Sequence, residues 1–293
     1  MSGQSNSGAE SQWRCVASLE GHQGAVYDLA SAGPDLLWSV GGDGCLVRWV
    51  RGDLGWKSTG EAVAKADEAL FCVHALSSGG AVCGGASGGV VVWESGAVKF
   101  HPGHEGGTFV VSEDFSAGAD GAIRRWNSGE VIAQVNGRVR CLMDRPDGVW
   151  TGNHEGKAHR AGARQGQLLH EGSLRAMVEW PGKPAIGTAG ADGRIRIWRA
   201  VGEQLEEIVA IEAHKAAIYR LEGSPDGLRM ATASRDRSAA VWNSADLSLE
   251  ARLVRAGSGG HTRSVNALCW LDDRTLASGG DDRRIFIWER NPD

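Results

Sequence analysis

An acidic residue six positions before a tryptophan recurs along almost the whole chain. The five intact copies are Asp43 and Trp49, Asp120 and Trp126, Asp192 and Trp198, Asp236 and Trp242, and Asp282 and Trp288. Two altered copies, Ser87 with Trp93 and Glu155 with Ala161, lie between them, and successive copies are about 40 residues apart on average. A period of this length indicates a chain built from one stacked supersecondary unit.

The last copy, residues 259–290, shows what each unit contains. A Gly-His pair at 260–261 is followed by three short segments in which apolar and polar residues alternate. Turn residues, among them Asp282, separate these segments. Alternation with a period of two between turn residues predicts a three-stranded antiparallel meander.

With Gly-His early in the unit and Trp late, the pattern closely resembles the WD-repeat β-propellers over residues 13–290. The resemblance implies an all-β fold, a single-domain seven-bladed β-propeller of four-stranded antiparallel blades. Residues 1–12 form a polar Ser/Gly segment that is predicted to be a disordered tail. The segment 13–19 has no earlier strand to pair with, and the last blade lacks its fourth strand. In proteins of this family the N-terminal strand completes the last blade, so the resemblance implies that residues 13–19 close the ring in the same way.

Composition and charge exclude several classes of protein. The net charge of −5 gives no general attraction to nucleic acid or to membranes. No apolar run reaches membrane-spanning length, and the N-terminus lacks the pattern of a targeting peptide. The six cysteines are scattered without metal-ligand spacing, which favours a reducing compartment. We therefore predict a cytoplasmic or nuclear protein without cofactor, metal, nucleic acid or membrane partner.

The resemblance also implies a hydrogen-bonded network of His, Ser or Thr, Asp and Trp that holds each blade together. The matching residues are His22, Ser39, Asp43 and Trp49 in blade 1, His170, Thr188, Asp192 and Trp198 in blade 5, His214, Thr232, Asp236 and Trp242 in blade 6, and His261, Ser278, Asp282 and Trp288 in blade 7. In blade 3, His104 lies only 12 residues before Ser116, against 17 or 18 elsewhere, so a complete network is not predicted there.

A Ser, a His and an Asp in contact would suggest a nucleophilic triad if they occurred once. Here the set recurs in at least four blades with Trp as a fourth member, so we interpret it as structural. The pair His101 and His104 could contribute two metal ligands, but no third is evident. The Gly-rich segment 84–89 precedes neither Lys-Ser/Thr nor a helix, so it is interpreted as a tight turn rather than a phosphate-binding loop.

What remains is the face of the propeller to which partners of similar proteins bind. By position, the residues expected on that face are Tyr27, Phe71, Arg138, Arg140, His154, Arg175, Tyr219, Arg235, Asn266 and Asp281. We expect basic side chains on one side of the rim and aromatic side chains on the other, both of them types favoured at interfaces. The alternative is that they are ordinary solvated loop residues, with the arginines paired to acids such as Glu155 and Glu179.

The sequence therefore predicts a non-catalytic interaction scaffold or adaptor, a monomeric propeller within a larger hetero-complex. Its partner is expected to be a protein or peptide, with acidic or phosphorylated residues matching the arginines. Two alternatives stay open. One is a substrate receptor of a ubiquitin ligase, which is disfavoured because Arg290 follows Trp288 one position too early for that branch of the family. The other is an enzyme or metal protein that uses the central channel.

Overall fold

The computed structural model describes residues 12–146, 148–163, 165–202, 204–255, 257 and 259–291. The predicted tail, residues 1–12, lies outside these ranges except for its last residue. Within the described residues the chain forms 29 β-strands and no helix, arranged in seven antiparallel sheets. The innermost strand of each sheet contacts those of both neighbouring sheets, which closes a ring around a central channel. The predicted all-β, seven-bladed propeller is confirmed.

Blades are numbered 1 to 7 from the first sheet in the chain, and each contributes one strand to the channel wall. These innermost strands are β2 (Val26–Ser31), β7 (Leu70–Ala75), β11 (Thr108–Val111), β15 (Val139–Met143), β19 (Leu174–Glu179), β23 (Ile218–Gly223) and β27 (Val265–Asp272). The second strands are β3 (Leu36–Gly41), β8 (Ala81–Gly85), β12 (Phe115–Gly118), β16 (Trp150–Asn153), β20 (Ala185–Gly190), β24 (Arg229–Ser234) and β28 (Thr275–Gly280).

The third strands carry the tryptophans of the repeat in blades 1, 2, 5, 6 and 7, and the fourth strands form the outer edge. The third strands are β4 (Cys45–Gly52), β9 (Val90–Glu94), β13 (Ala122–Arg125), β17 (Lys157–Arg160), β21 (Arg194–Val201), β25 (Ala239–Asn243) and β29 (Arg284–Arg290). The outer strands are β6 (Glu61–Lys65), β10 (Ala97–His101), β14 (Val131–Gln134), β18 (Gln167–Leu168), β22 (Gln204–Glu212), β26 (Leu249–Leu253) and, in blade 7, β1 (Trp13–Glu20). Blade 1 has one further short strand, β5 (Gly55–Trp56), which also pairs with β4.

The ring is closed as predicted, because β1 pairs antiparallel with β29 from Trp13 opposite Arg290 to Glu20 opposite Arg284. The first strand of the chain thus supplies the fourth strand of the last blade. Without β1 the backbone groups of β29 on that side would be unpaired, so this pairing removes an open sheet edge.

The apolar core is divided into seven clusters, each shared by two neighbouring blades. The clusters between blades 5 and 6 and between blades 6 and 7 each contain 13 buried residues. The clusters between blades 2 and 3 and between blades 3 and 4 contain only six each. Since burial of apolar surface is the main stabilising contribution, blades 2 to 4 form the less strongly packed arc of the ring.

Candidate functional site

In blade 1 the four residues of the predicted network form one chain of hydrogen bonds. His22 Nδ1 lies 3.0 Å from the Asp43 carboxylate, and His22 Nε2 lies 2.7 Å from the Ser39 hydroxyl. The indole N–H of Trp49 donates to the same hydroxyl over 2.8 Å. An ionised carboxylate only accepts, so Nδ1 carries the proton and Nε2 accepts from the hydroxyl.

The same chain of bonds recurs in three further blades with distances between 2.7 and 2.9 Å. Its members are His170, Asp192, Thr188 and Trp198 in blade 5, His214, Asp236, Thr232 and Trp242 in blade 6, and His261, Asp282, Ser278 and Trp288 in blade 7. Burial alone would raise the pKa of Asp282, but its bonds from His261 and from backbone N–H groups outweigh burial and lower that pKa. The four hydroxyl-bearing residues are 0% exposed, as expected for groups that hold the strands of a blade together.

Blade 3 forms part of the network despite its short spacing. His104 Nδ1 lies 2.8 Å from Asp120, and His104 Nε2 lies 3.0 Å from Ser116. The indole N–H of Trp126 donates instead to the backbone carbonyls of residues 112 and 113. Three of the four members are therefore bonded, because the strands of this blade are only four residues long and the tryptophan lies over the loop.

The His101 and His104 pair is used structurally. His104 belongs to the blade 3 network, and the ring of His101 packs edge-on against Trp126 with 5.8 Å between ring centres. Across the described parts of the chain, no three His, Cys, Asp or Glu side chains come together as metal ligands.

Blades 2 and 4 replace the missing network by other polar contacts. In blade 2 the hydroxyl of Ser87 donates to Glu68 over 2.7 Å, so the carboxylate comes from the preceding loop instead of the turn. In blade 4 the side-chain oxygen of Asn153 accepts from the backbone N–H groups of Glu155, at 3.0 Å, and Lys157, at 2.9 Å. The amide nitrogen of Asn153 donates to the carbonyl of residue 136 over 2.9 Å. Asn153, which the sequence pattern did not single out, thus holds the turn and the preceding loop together.

Each of the seven innermost strands has a β-bulge at the same place, immediately after its first residue. A bulge leaves one residue outside the ladder and changes the direction of its side chain. In order around the ring, the seven bulged residues are Tyr27, Phe71, Phe109, Arg140, Arg175, Tyr219 and Asn266.

All seven bulged residues line one cavity of about 380 Å³ at one end of the channel, which we call the mouth. The other residues of its wall are Asp28, Arg220 and Asp281. The mouth therefore collects one residue from each blade at an equivalent position. Such a convergent concave site, with a few polar groups between aromatic ones, is typical of a binding site.

The structure places seven of the ten residues expected on this face at the mouth, namely Tyr27, Phe71, Arg140, Arg175, Tyr219, Asn266 and Asp281. Arg138, His154 and Arg235 are exposed in loops and do not line the cavity. Sequence reasoning missed Phe109, Asp28 and Arg220. Phe109 follows the first residue of β11, the buried Thr108, as Phe71 follows Leu70 in β7, but the short strands of blade 3 obscured this equivalence in the sequence.

The WD40 family model, described as WD domain, G-beta repeat, matches residues 13–49, 205–243 and 255–289. Nearly the whole chain superposes on the crystal structure of the WD40 β-propeller domain of Doa1, with a TM-score of 0.81, 17% identity, and coverage of 95% of this chain and 97% of that one. This chain is a β-propeller that carries WD repeats. The superposition at that identity shows the fold alone.

Curated relatives of this WD-repeat propeller match it over short segments. The actin-interacting protein 1-2 of Arabidopsis thaliana is 30% identical over 119 residues, which is 40% of this chain and 19% of that protein. The ribosome biogenesis protein WDR12 homolog of Drosophila erecta is 29% identical over 103 residues, or 31% and 24% of the two chains. The HIRA protein of Dictyostelium discoideum is 37% identical over 81 residues, or 25% and 7%. The matched segments thus span a quarter or less of each of these relatives.

The basic and aromatic sides of the mouth of this WD-repeat propeller adjoin each other, since Arg140 and Arg175 lie on blades 4 and 5 and aromatic residues lie on the blades at either side. Tyr27, Phe71 and Phe109 form a continuous aromatic arc, with ring centres 5.8 and 5.7 Å apart. The guanidinium carbon of Arg140 lies 4.0 Å from the ring centre of Phe109, and that of Arg175 lies 5.3 Å from the ring centre of Tyr219. Each arginine therefore stacks on the aromatic residue of the blade beside it, because blades that follow each other in sequence are neighbours in the ring.

The floor of the mouth is an ion pair that reaches across blade 7. Arg220 of blade 6 lies 3.5 Å from Asp28 of blade 1, and its Nε donates to Glu222 over 2.9 Å. The Asp28 carboxylate also accepts from the backbone N–H groups of residues 29 and 73. Burial nevertheless raises the pKa of Asp28, against the opposing effect of Arg220. Arg220 is therefore already neutralised by two carboxylates of the protein.

Arg140 and Arg175 have no such partners. Among the described residues, neither guanidinium forms an ion pair, and the Nε atom of each is buried without a hydrogen-bond partner. The two acids considered as partners are engaged elsewhere, Glu155 with Lys157 at 2.9 Å and Glu179 with Arg145 at 3.5 Å. Burial, then the charges of Arg175 and Arg138, lower the pKa of Arg140 to about 10.

On the other side of the mouth, the amide nitrogen of Asn266 has two hydrogen-bond partners. Its amide donates to Asp281 over 2.7 Å and to the carbonyl of Val26 over 3.0 Å, which ties blade 7 to blade 1. Asp281 is thus held by a neutral partner, about a third of the ring away from the arginines.

Over the described residues, no helix is long and apolar enough to span a membrane.

Proposed function

We propose that this WD-repeat propeller is a protein-interaction platform, one subunit of a larger assembly, and that the mouth binds a segment of its partner. The segment carries an acidic or phosphorylated residue beside an aromatic or aliphatic one. The relatives support the general part of this proposal, because one of them is named for an interaction with actin. The specific part depends on the residues of the mouth.

The observation that carries the proposal is the unpaired state of Arg140 and Arg175 on a chain with a net charge of −5. Cations held close together without acids destabilise the folded state, and an arginine fork matches carboxylate or phosphate oxygens. A free pair at the centre of a concave site is therefore best explained by a ligand that neutralises it.

The aromatic arc supplies the second half of the proposed site. Tyr27, Phe71 and Phe109 are partly exposed and line the cavity beside Arg140. Aromatic and Arg side chains contribute much of the binding free energy at protein interfaces, and a stacked arc offers rigid apolar area. A partner side chain that lies on this arc would be adjacent to the group bound by the arginines.

The same proposal includes a cellular location, the cytoplasm or the nucleus, which is inferred from the cysteines. All six cysteines are free, and four of them are buried. Free thiols in a chain of this kind favour a reducing compartment, either the cytoplasm or the nucleus. The buried hydroxyls of the blade networks favour a scaffold over an enzyme, since they lie out of reach of a substrate.

The test is affinity capture from cell extract followed by mass spectrometry, comparing two variants of equal charge change. Arg140→Glu/Arg175→Glu reverses the two cations of the mouth. Lys57→Glu/Lys99→Glu reverses two exposed cations outside it. We expect the first variant to lose the partners that wild type and the second variant recover. Circular dichroism and thermal melting test whether both variants are folded. If Arg140→Glu/Arg175→Glu does not fold, Arg140→Gln/Arg175→Gln takes its place in the comparison. Equal recovery of partners by all folded variants would place binding elsewhere on the ring.

A further inference from the structure

The two free arginines occupy equivalent positions on neighbouring blades. Arg140 and Arg175 are the bulged residues of β15 and β19, and both line the mouth as well as the channel cavity directly below it. The Nε atom of each arginine is buried and has no hydrogen-bond partner among the described residues. A ligand group bound where both cavities are lined by these side chains lies beside both arginines.

A ligand that lies beside both arginines is favoured if it brings two negative charges. Both arginines are cationic at neutral pH, and no carboxylate of the described residues pairs with either. The same fold shows what neutralises a guanidinium here, because Arg220 is held by both Asp28 and Glu222. One carboxylate between Arg140 and Arg175 would leave an uncompensated charge in a partly buried site, which is unfavourable.

The stacking of the two arginine side chains also favours a ligand with two negative charges. Stacking on Phe109 and Tyr219 occupies the faces of the guanidinium groups and leaves their N–H edges free. A carboxylate has two oxygens and satisfies one arginine fork, whereas a phosphate monoester has three terminal oxygens and can accept from two forks. A nucleic-acid phosphodiester carries one charge per phosphate and therefore fits less well.

Building on the proposed function of the mouth, we propose that Arg140 and Arg175 together bind the phosphate of one phosphorylated residue in the partner segment. Binding of the partner then depends on its phosphorylation. An unphosphorylated segment, or one with glutamate at the same position, binds weakly, because a single carboxylate neutralises one of the two arginines only.

The first experiment uses phenyl phosphate and phenyl sulfate, two probes of nearly the same shape that carry two charges and one. The full chain is titrated with each probe, with calorimetry for affinity and the side-chain Nε–H signals of Arg140 and Arg175 as the NMR readout. We expect phenyl phosphate to bind at least about tenfold more tightly, and both Nε–H signals to shift. Its affinity should fall as the pH drops below about 6, where the phosphate takes up a proton. Equal affinity for the two probes, or no binding of phenyl phosphate, overturns the proposal.

The second experiment separates this inference from the proposed function. Wild type is probed with a peptide library that is degenerate around a central phosphoserine, the same library with serine, and the same library with glutamate. We expect selection from the phosphoserine library alone, and its loss in Arg140→Lys/Arg175→Lys, which keeps the charges but not the forks. The control Arg235→Lys, outside the mouth, should bind like wild type. If the glutamate library is retained equally well and lost in the double variant, the mouth binds acidic peptides and the phosphate assignment is wrong. Retention of the phosphoserine library by a folded double variant contradicts both proposals.

Discussion

Trp13 packs edge-on against Trp270, with 5.8 Å between ring centres, although 257 positions separate them in the chain. Trp13 belongs to the first strand and Trp270 to the innermost strand of the last blade. Both belong to the core cluster shared by blades 6 and 7. The closure of the ring is therefore an apolar contact as well as a backbone pairing, and it is the point where the two ends of the propeller are joined.

Deleting residues 1–19 should open the ring. The deletion removes most of β1, so β29 becomes an unpaired edge and Trp270 loses its partner. We expect aggregation or loss of a cooperative unfolding transition, since an open, apolar sheet edge pairs with other chains. Size-exclusion chromatography and thermal melting test this. Deletion of residues 1–11 is the control and should leave both unchanged. A monomeric and cooperatively folded protein without residues 1–19 would falsify the role assigned to β1.

Removal of the turn acid should have different effects in blades 7 and 4. Asp282→Ala leaves the buried His261 without its acceptor and should lower the free energy of unfolding by about 2–4 kcal/mol. Glu155→Ala, at the equivalent position of blade 4, should cost much less, because Glu155 is exposed and its ion pair is with the partly exposed Lys157. Asn153→Ala should cost about 1–3 kcal/mol, since two backbone N–H groups lose their acceptor. Urea unfolding followed by tryptophan fluorescence measures all three. A larger loss for Glu155→Ala than for Asn153→Ala would contradict the structural account of this blade.

Stability should fall in acid because of the blade networks. Burial would raise the pKa of the aspartates in these networks, but their hydrogen bonds outweigh it, so the pKa values are lowered in the folded state. A carboxylate whose pKa is lowered on folding stabilises the protein fully above its unfolded value, near about 3.9, and loses that contribution as the pH falls toward the folded value. We therefore expect the urea midpoint to drop steeply below about pH 4. Asp282→Asn, which cannot ionise at this position, should show a shallower decline between pH 5 and pH 3 at about the same m-value. An equally steep decline in the variant would mean that other groups dominate the acid sensitivity.

Hydrogen exchange should be fastest in blades 2 to 4. The apolar clusters between these blades contain fewer than half as many buried residues as those flanking blade 6, and none of the three blades has a complete four-residue network. Local opening therefore costs less there. Exchange of backbone amides in strands β7 to β17, followed by mass spectrometry and compared with β19 to β29, tests this. Slowest exchange in blade 4 would show that the substituted contacts of Asn153 are as stabilising as the network they replace.

Much of the fold follows from local pattern. The number of blades could be read from the spacing of the acid and the tryptophan, since each blade must bury the same apolar face against its neighbours. The pairing of β1 with β29 followed from the resemblance to the family, which the number of strands at the two ends of the chain fitted. These features depend on residues close together in the sequence, or on the requirement that no sheet edge stays open.

The residues of the mouth were predicted only in part. Tyr27 and Arg140 could be placed by counting from the start of each repeat. Phe109 was missed because the shortened strands of blade 3 obscured the equivalent position, and Asp28 because it was not expected to face the channel. The bulge in each inner strand decides which side chain turns toward the channel, and a bulge leaves no mark in the alternation of residue types.

The sequence by itself determined that this chain is a closed ring of seven repeats, because periodicity and strand pairing are encoded within each unit. Only the tertiary structure decided which charges are free. Arg220 and Arg140 are the same residue type on equivalent inner strands, yet one is held by Asp28 across a blade and the other stacks on Phe109 without an acid. The physical reason is that a charge is neutralised by whatever lies within a few ångströms of it, and around the channel those neighbours come from other blades.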